Sequence, residues 1–134
     1  MPIEWIKDGK DVIAVIIPAG FYPDKTDFIT PPDYKQQIGF IVYKCGESIV
    51  PHRHIPMKRS LVGTSEVLLL KSGKVEADFY SKDKRLVATR VLTQGDMILL
   101  VSGGHGFRMM EDTVMVEVKQ GPYIGEEEKE RFNP

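Results

Sequence analysis

Histidine, cysteine and tryptophan are scarce in this chain, at three, one and one in 134 residues. A lone cysteine, Cys45, excludes an intrachain disulfide and points to a reducing compartment. Without a partner it reads as a small buried hydrophobe. No apolar run approaches the roughly 20 residues needed to cross a bilayer as a helix. The opening residues, MPIEWIKDGK, carry acids and a Trp where a signal peptide needs a basic start and an apolar centre. An excess of one charge is also missing. With 18 basic and 19 acidic side chains the net charge is -1, which gives no global pull toward nucleic acid or an anionic membrane. These absences predict a cytoplasmic protein whose partner is a small molecule, not nucleic acid or a membrane.

What is present is a succession of short apolar runs broken by Gly, Pro, Asp and Ser, the pattern of an all-β protein. Asp11 to Ile17 is β-branched and stops at Pro18-Ala19-Gly20. Phe21 to Lys35 holds Pro23, Pro31 and Pro32 and reads as an irregular arm, because proline cannot donate to a sheet ladder. Gln37 to Lys44 and Ser48 to His54 read as strands. Glu66 to Lys71 and Lys74 to Tyr80 read as a hairpin-like pair joined at Ser72-Gly73. Further strands are expected over Arg85 to Leu92, Asp96 to Val101, Phe107 to Met110 and Thr113 to Lys119, making roughly nine. Helical periodicity is nearly absent. Only the tail, GEEEKERF, is suited to a helical turn, with Phe132 available to dock on the body. The length fits a single domain over residues 1–134. Within it, 1–37 forms the first strand and the arm, 38–121 the core, and 122–134 a charged tail. The apolar runs in EVLLL and MILLV suggest strands covered on both faces.

All three histidines fall near two glycine-bounded segments, Gly46–Gly73 and Gly95–His105. On a strand, Val50, His52 and His54 share one face, so both imidazoles could reach a single ion. Imidazole with a carboxylate suits Zn, Fe, Mn, Ni or Cu. Taken alone, the HRH tripeptide reads equally as a surface pair in a basic patch with Arg53, Lys58 and Arg59. Glu66 alone reads as an acid opening a strand, and His105 as a turn residue.

Taken in order, the two segments resemble the motifs of the cupin superfamily. Gly46, five residues, His52-Arg53-His54, then Glu66, six residues and Gly73 follow its first motif. The spacing departs between His54 and Glu66, where eleven residues stand in place of three or four. Gly95-Asp96, Gly103 and His105 follow the second motif, with Val101 where proline is usual and the histidine one residue early. The resemblance covers about Ile38 to Gly121 and implies a double-stranded β-helix, or jelly-roll barrel. It implies one divalent transition metal ion held by His52, His54, Glu66 and His105, and a homodimer. In such a barrel one sheet face lines the cavity, which makes Lys119 and Glu117 candidates to reach a ligand. Without it, charges opposite the valine stripe of the last strand would face water. Lys58 and Arg59, in the long loop, are suited to pair with a carboxylate, phosphate or sugar-nucleotide anion, or to remain solvated.

The resemblance further implies an enzyme of small polar or anionic, sugar-like or carbonyl molecules, in carbohydrate metabolism. The bound ion would supply Lewis-acid or redox chemistry in an isomerase, epimerase or dioxygenase. A non-catalytic small-ligand module with a structural or incidental metal needs no base at all. Metal-free sugar-nucleotide epimerases of this fold use a histidine base, so with three histidines as ligands that alternative needs Tyr, Glu or Lys as base, or histidines that are not ligands. No residue stands out as the catalytic group.

Overall fold

A computed structural model describes residues 2–134, and the fold is all-β with several antiparallel sheets. The chain divides into two compact units, Met1–Phe21 with Thr64–Pro134, and Tyr22–Gly63.

The first unit holds eight strands: β1 (Glu4–Asp8), β2 (Asp11–Ile17), β5 (Glu66–Ser72), β6 (Lys74–Tyr80), β7 (Leu86–Thr93), β8 (Met97–Leu100), β9 (Gly104–Met109) and β10 (Val114–Lys119). A five-stranded sheet runs β1-β2-β8-β5-β10, and a three-stranded sheet runs β7-β6-β9. One buried cluster draws on both. Ile13, Ala14, Leu68 and Ile98 come from the larger sheet, and Val75, Ala77 and Phe79 from the smaller. Apolar area removed from water by both sheets at once is the main stabilisation such strands can gain. Val15 and Leu99, which lie opposite each other on β2 and β8, are also fully buried. This meets the expectation of a strand covered on both faces for MILLV, whereas in EVLLL Val67 and Leu69 are only half-buried.

Glu66–Ser72 and Lys74–Tyr80 do not form a hairpin. β5 pairs with β8 and β10, whereas β6 pairs with β7 and β9, so the chain changes sheet at Gly73. Gly73 has φ of +98°, and a Cβ there would run into the Asp112 carbonyl oxygen and the Thr113 side chain. Only glycine takes that corner without strain. The chain changes sheet again between β7 and β8, between β8 and β9, and between β9 and β10. At the β8–β9 crossing the Val101 and Ser102 amides both donate to the Ile13 carbonyl, at 2.9 and 3.2 Å.

The last strand reverses the expected faces. Val114, Val116 and Val118 are 54, 42 and 56% exposed, while Met115 and Lys119 are half-buried and Met115 packs on the core. Position explains this, because β10 lies at the edge of the sheet and its valine face is left uncovered. The N-terminal strand β1 was not evident in the sequence, where Glu4, Lys7 and Asp8 interrupt the apolar pattern. The tail bears out its reading, with a 3-10 turn over Glu126–Glu128 and Phe132 docked edge-on against Tyr80 at 5.1 Å.

The second unit, Tyr22–Gly63, contains β3 (Asp27–Phe28) and β4 (Gly39–Phe40), paired antiparallel. The strand expected over Gln37 to Lys44 is thus confined to two residues, and Ser48 to His54 has no ladder. High β-propensity does not make a strand without a neighbour to pair with. Gln37 orders the proline-rich segment instead. Its side-chain amide donates to the Pro31 and Tyr34 carbonyls at 2.9 Å, and its oxygen accepts from Thr30 at 2.7 Å. Cys45 is exposed, not buried, because it sits in the turn that precedes Gly46.

Candidate functional site

His52, His54, Lys58 and Arg59 all lie exposed in the second unit. The two histidines are not on a strand, yet their rings stand together, with centroids 5.5 Å apart and planes at 68°. His52 Nδ1 lies 2.8 Å from the Val50 carbonyl oxygen. A carbonyl can only accept, so Nδ1 is the donor in this contact and Nε2 is the nitrogen turned away from it. Orientation of one imidazole nitrogen by a carbonyl is what a metal-ligating histidine ordinarily shows. With zinc–nitrogen bonds of about 2.0–2.1 Å and tetrahedral angles, two such rings would sit about 5 Å apart. The donor type of this pair and the spacing of its rings therefore fit a transition metal.

The other two implied ligands belong to the first unit. Glu66 opens β5, half-buried, with Leu100 and Lys119 as its cross-strand partners. His105 is on β9 opposite Phe79 in the three-stranded sheet. Among the described residues, no group of three or more His, Cys, Asp or Glu is gathered closely enough to hold a metal ion. Within the second unit His52 and His54 stand as a pair.

His105 is exposed as a residue, yet desolvation of its ring lowers its pKa, with the Lys129 ammonium as a second cause. Folding therefore favours the neutral ring. That contribution is complete above the unfolded value of about 6.5 and is lost as pH falls from there through the lowered folded value. In the presence of a chelator, the melting temperature should fall more steeply below about pH 6.5 in the native chain than in His105→Gln. Parallel curves would remove His105 as the source.

Lys119 occupies the most enclosed ion pair of this unit. Its Nζ donates to Glu128 Oε1 at 2.7 Å, with the two side chains 23 and 14% exposed. Thr64 Oγ1 donates to Glu128 Oε2 at 3.2 Å. The hydrogen bond from Lys119 is the first cause that lowers the Glu128 pKa, and the same bond raises that of Lys119. Next to them Gln120 Oε1 accepts from the Ser65 amide at 3.0 Å, while its buried side-chain nitrogen has no partner among the described residues. The Ser65 hydroxyl donates to the Leu100 carbonyl at 3.0 Å. Thr64, Gln120 and Glu128 were not evident as site residues in the sequence. The acidic run Glu126–Glu128 was the only signal, and it read as solvated.

A cleft of about 550 Å³ opens elsewhere in the first unit, lined by Trp5, Ile16, Arg90, Val91 and Asp96 among others. Arg90 is bound on both oxygens of Glu4, at 2.8 to 3.0 Å. Asp96 accepts from the Ala19 and Thr93 amides. The charged walls are thereby satisfied within the fold. No helix among the described residues is long and apolar enough to cross a membrane. No protein-family model, curated protein or solved structure matches the chain.

Proposed function

We propose that this chain is a cupin-type protein that holds a divalent transition metal, one of Zn, Fe, Mn, Ni or Cu, and binds a small polar or anionic molecule beside it. The observation that carries the reading is the His52–His54 pair, two imidazoles at ligand spacing with one already oriented by a carbonyl. The repeated passage of the chain between two antiparallel sheets supports a jelly-roll arrangement of the strands. Glu66 and His105 are the further ligands implied by the cupin resemblance, and the lowered pKa of His105 keeps its ring in the form a metal requires. When bound, such an ion supplies Lewis-acid polarisation or redox chemistry to an oxygen-bearing ligand. Lys119, Lys58 and Arg59 are the candidate cations for an anionic group of that ligand, Lys119 paired with Glu128 and the other two exposed.

Metal analysis of protein purified without added metal tests this directly. The native chain should retain metal, and the double variant His52→Ala/His54→Ala should lose it. The loss should exceed the about 10–100-fold typical of removing an outer-shell partner. Equal content in the two proteins would end the ligand assignment. Because the four implied ligands are distributed over both units, Glu66→Gln and His105→Gln are measured separately.

A second reading, a ligand-binding module without metal chemistry, draws on the pairing of Glu66 and Lys119 across the ladder and of Lys119 with Glu128. Those charges are organised without any ion.

A further inference from the structure

The C-terminal segment 122–134 is anchored on both sheets of its own unit. At one end Glu128 is held by Lys119, the last residue of β10, and by Thr64 just before β5. At the other end Phe132 stands edge-on to Tyr80 of β6, and Glu130 pairs with Lys84 at 3.2 Å. A Cβ on Gly104 would come within 3.0 Å of the Phe132 ring, so the first residue of β9 leaves room for this contact. The Lys84–Glu130 pair is 49 and 75% exposed and contributes little. Lys119–Glu128 is the enclosed contact, and its geometry is that of a carboxylate receptor. An ammonium meets one oxygen and a hydroxyl meets the other, with an unpartnered amide nitrogen on the neighbouring Gln120.

Two further acids constrain what could replace Glu128. Glu117 lies on the same face of β10 as Lys119 and adds to its raised pKa. Glu66 is the cross-strand partner of Lys119 and so projects to the same face. A phosphate dianion or a dicarboxylate would bring excess negative charge against these two groups. A single carboxylate flanked by hydroxyls would place its anion on Lys119 and offer its hydroxyl protons to the acids.

We propose that Lys119 and Thr64 form a seat for the carboxylate of a small hydroxy acid, that Glu128 fills this seat from within the chain, and that ligand entry releases the C-terminal strap. The proposal rests on the small-ligand part of the function above and uses none of its metal part. A competitor tethered by a short segment acts at an effective concentration in the millimolar range, so its removal should tighten ligand binding about tenfold.

Nuclear magnetic resonance titration with glycerate, following backbone amides, tests the seat. Glycerate should shift Thr64, Ser65, Lys119 and Gln120. Glu128→Gln should bind it about tenfold more tightly than the native chain. Lys119→Met, checked for a dispersed native spectrum, should show no saturable binding, and Thr64→Val should bind more weakly than the native chain. Propionate, which lacks the hydroxyls, and inorganic phosphate should both bind more weakly than glycerate. Glycerate should also speed tryptic cleavage after Lys129 in the native chain. Binding by Glu128→Gln no tighter than native would overturn the proposal, as would shifts centred on Lys58 and Arg59. Metal retained in Glu128→Gln alongside failed glycerate binding would sink this inference alone. Glycerate binding with no metal in the native chain would sink only the metal part of the proposed function.

Discussion

Phe79→Ala is expected to cost about 3–5 kcal/mol of folding stability. Phe79 is completely buried and is the largest such side chain in the chain. It sits on the central strand of the three-stranded sheet, between Ala88 on β7 and His105 on β9. Both backbone neighbours are held by ladders, so the site cannot collapse around the missing ring, and the cavity adds to the lost transfer energy. A domain of this size is stabilised by about 5–15 kcal/mol, so the variant should lose a large part of that and melt well below the native chain. The comparison is Leu86→Ala on β7, which is 54% exposed and should stay within about 0.5 kcal/mol of the native chain. Urea unfolding of the two variants makes the measurement. A cost under about 1 kcal/mol at Phe79 would mean that the two sheets do not close over it.

The strands legible in the sequence were those with a strong pattern and a guaranteed neighbour. Asp11–Ile17 is dense in β-branched residues, and two ladders confirm it, to β1 and to β8. Ile41, Val42, Ile49 and Val50 have equal local propensity but belong to no ladder, because pairing is a property of the fold and not of the segment. Ser72-Gly73 looked like a hairpin turn for the same reason. A glycine with positive φ serves a tight turn and a corner between sheets equally well, and only the partners of β5 and β6 distinguish them. At the candidate site, residue type was legible and gathering was not. The His52–His54 pair is local, and the rings stand together although the strand expected to align them is absent. The Lys119–Glu128 pair depends on how a nine-residue separation folds back through the tail, and Thr64 reaches it from 64 positions away. No periodicity encodes that contact. The exposed valines of β10 make the same point, because alternation identified the two faces correctly but edge position decided which one is covered.

Gly73→Val tests the corner on which the first unit turns. The left-handed backbone at φ of +98° costs a non-glycine residue about 1–2 kcal/mol, and more when the side chain is β-branched. The new Cβ would also press on the Asp112 carbonyl and on Thr113, which are themselves fixed. The Thr113 hydroxyl donates to the Glu111 carbonyl at 2.9 Å, and the Met110 amide donates to the Lys74 carbonyl at 2.8 Å. Overpacking against a rigid neighbour adds about 1–3 kcal/mol, for a total of about 2–5 kcal/mol by the same urea measurement. Gly106→Ala is the control, since no positive φ is involved and a Cβ there meets nothing within 4 Å. It should change stability by less than about 1 kcal/mol. Gly73→Asn should recover part of the loss, because asparagine enters the left-handed region more readily, though its Cβ still meets Asp112. A hairpin between β5 and β6 would free position 73 from Asp112 and Thr113 and make asparagine nearly neutral. The asparagine variant therefore separates the two topologies.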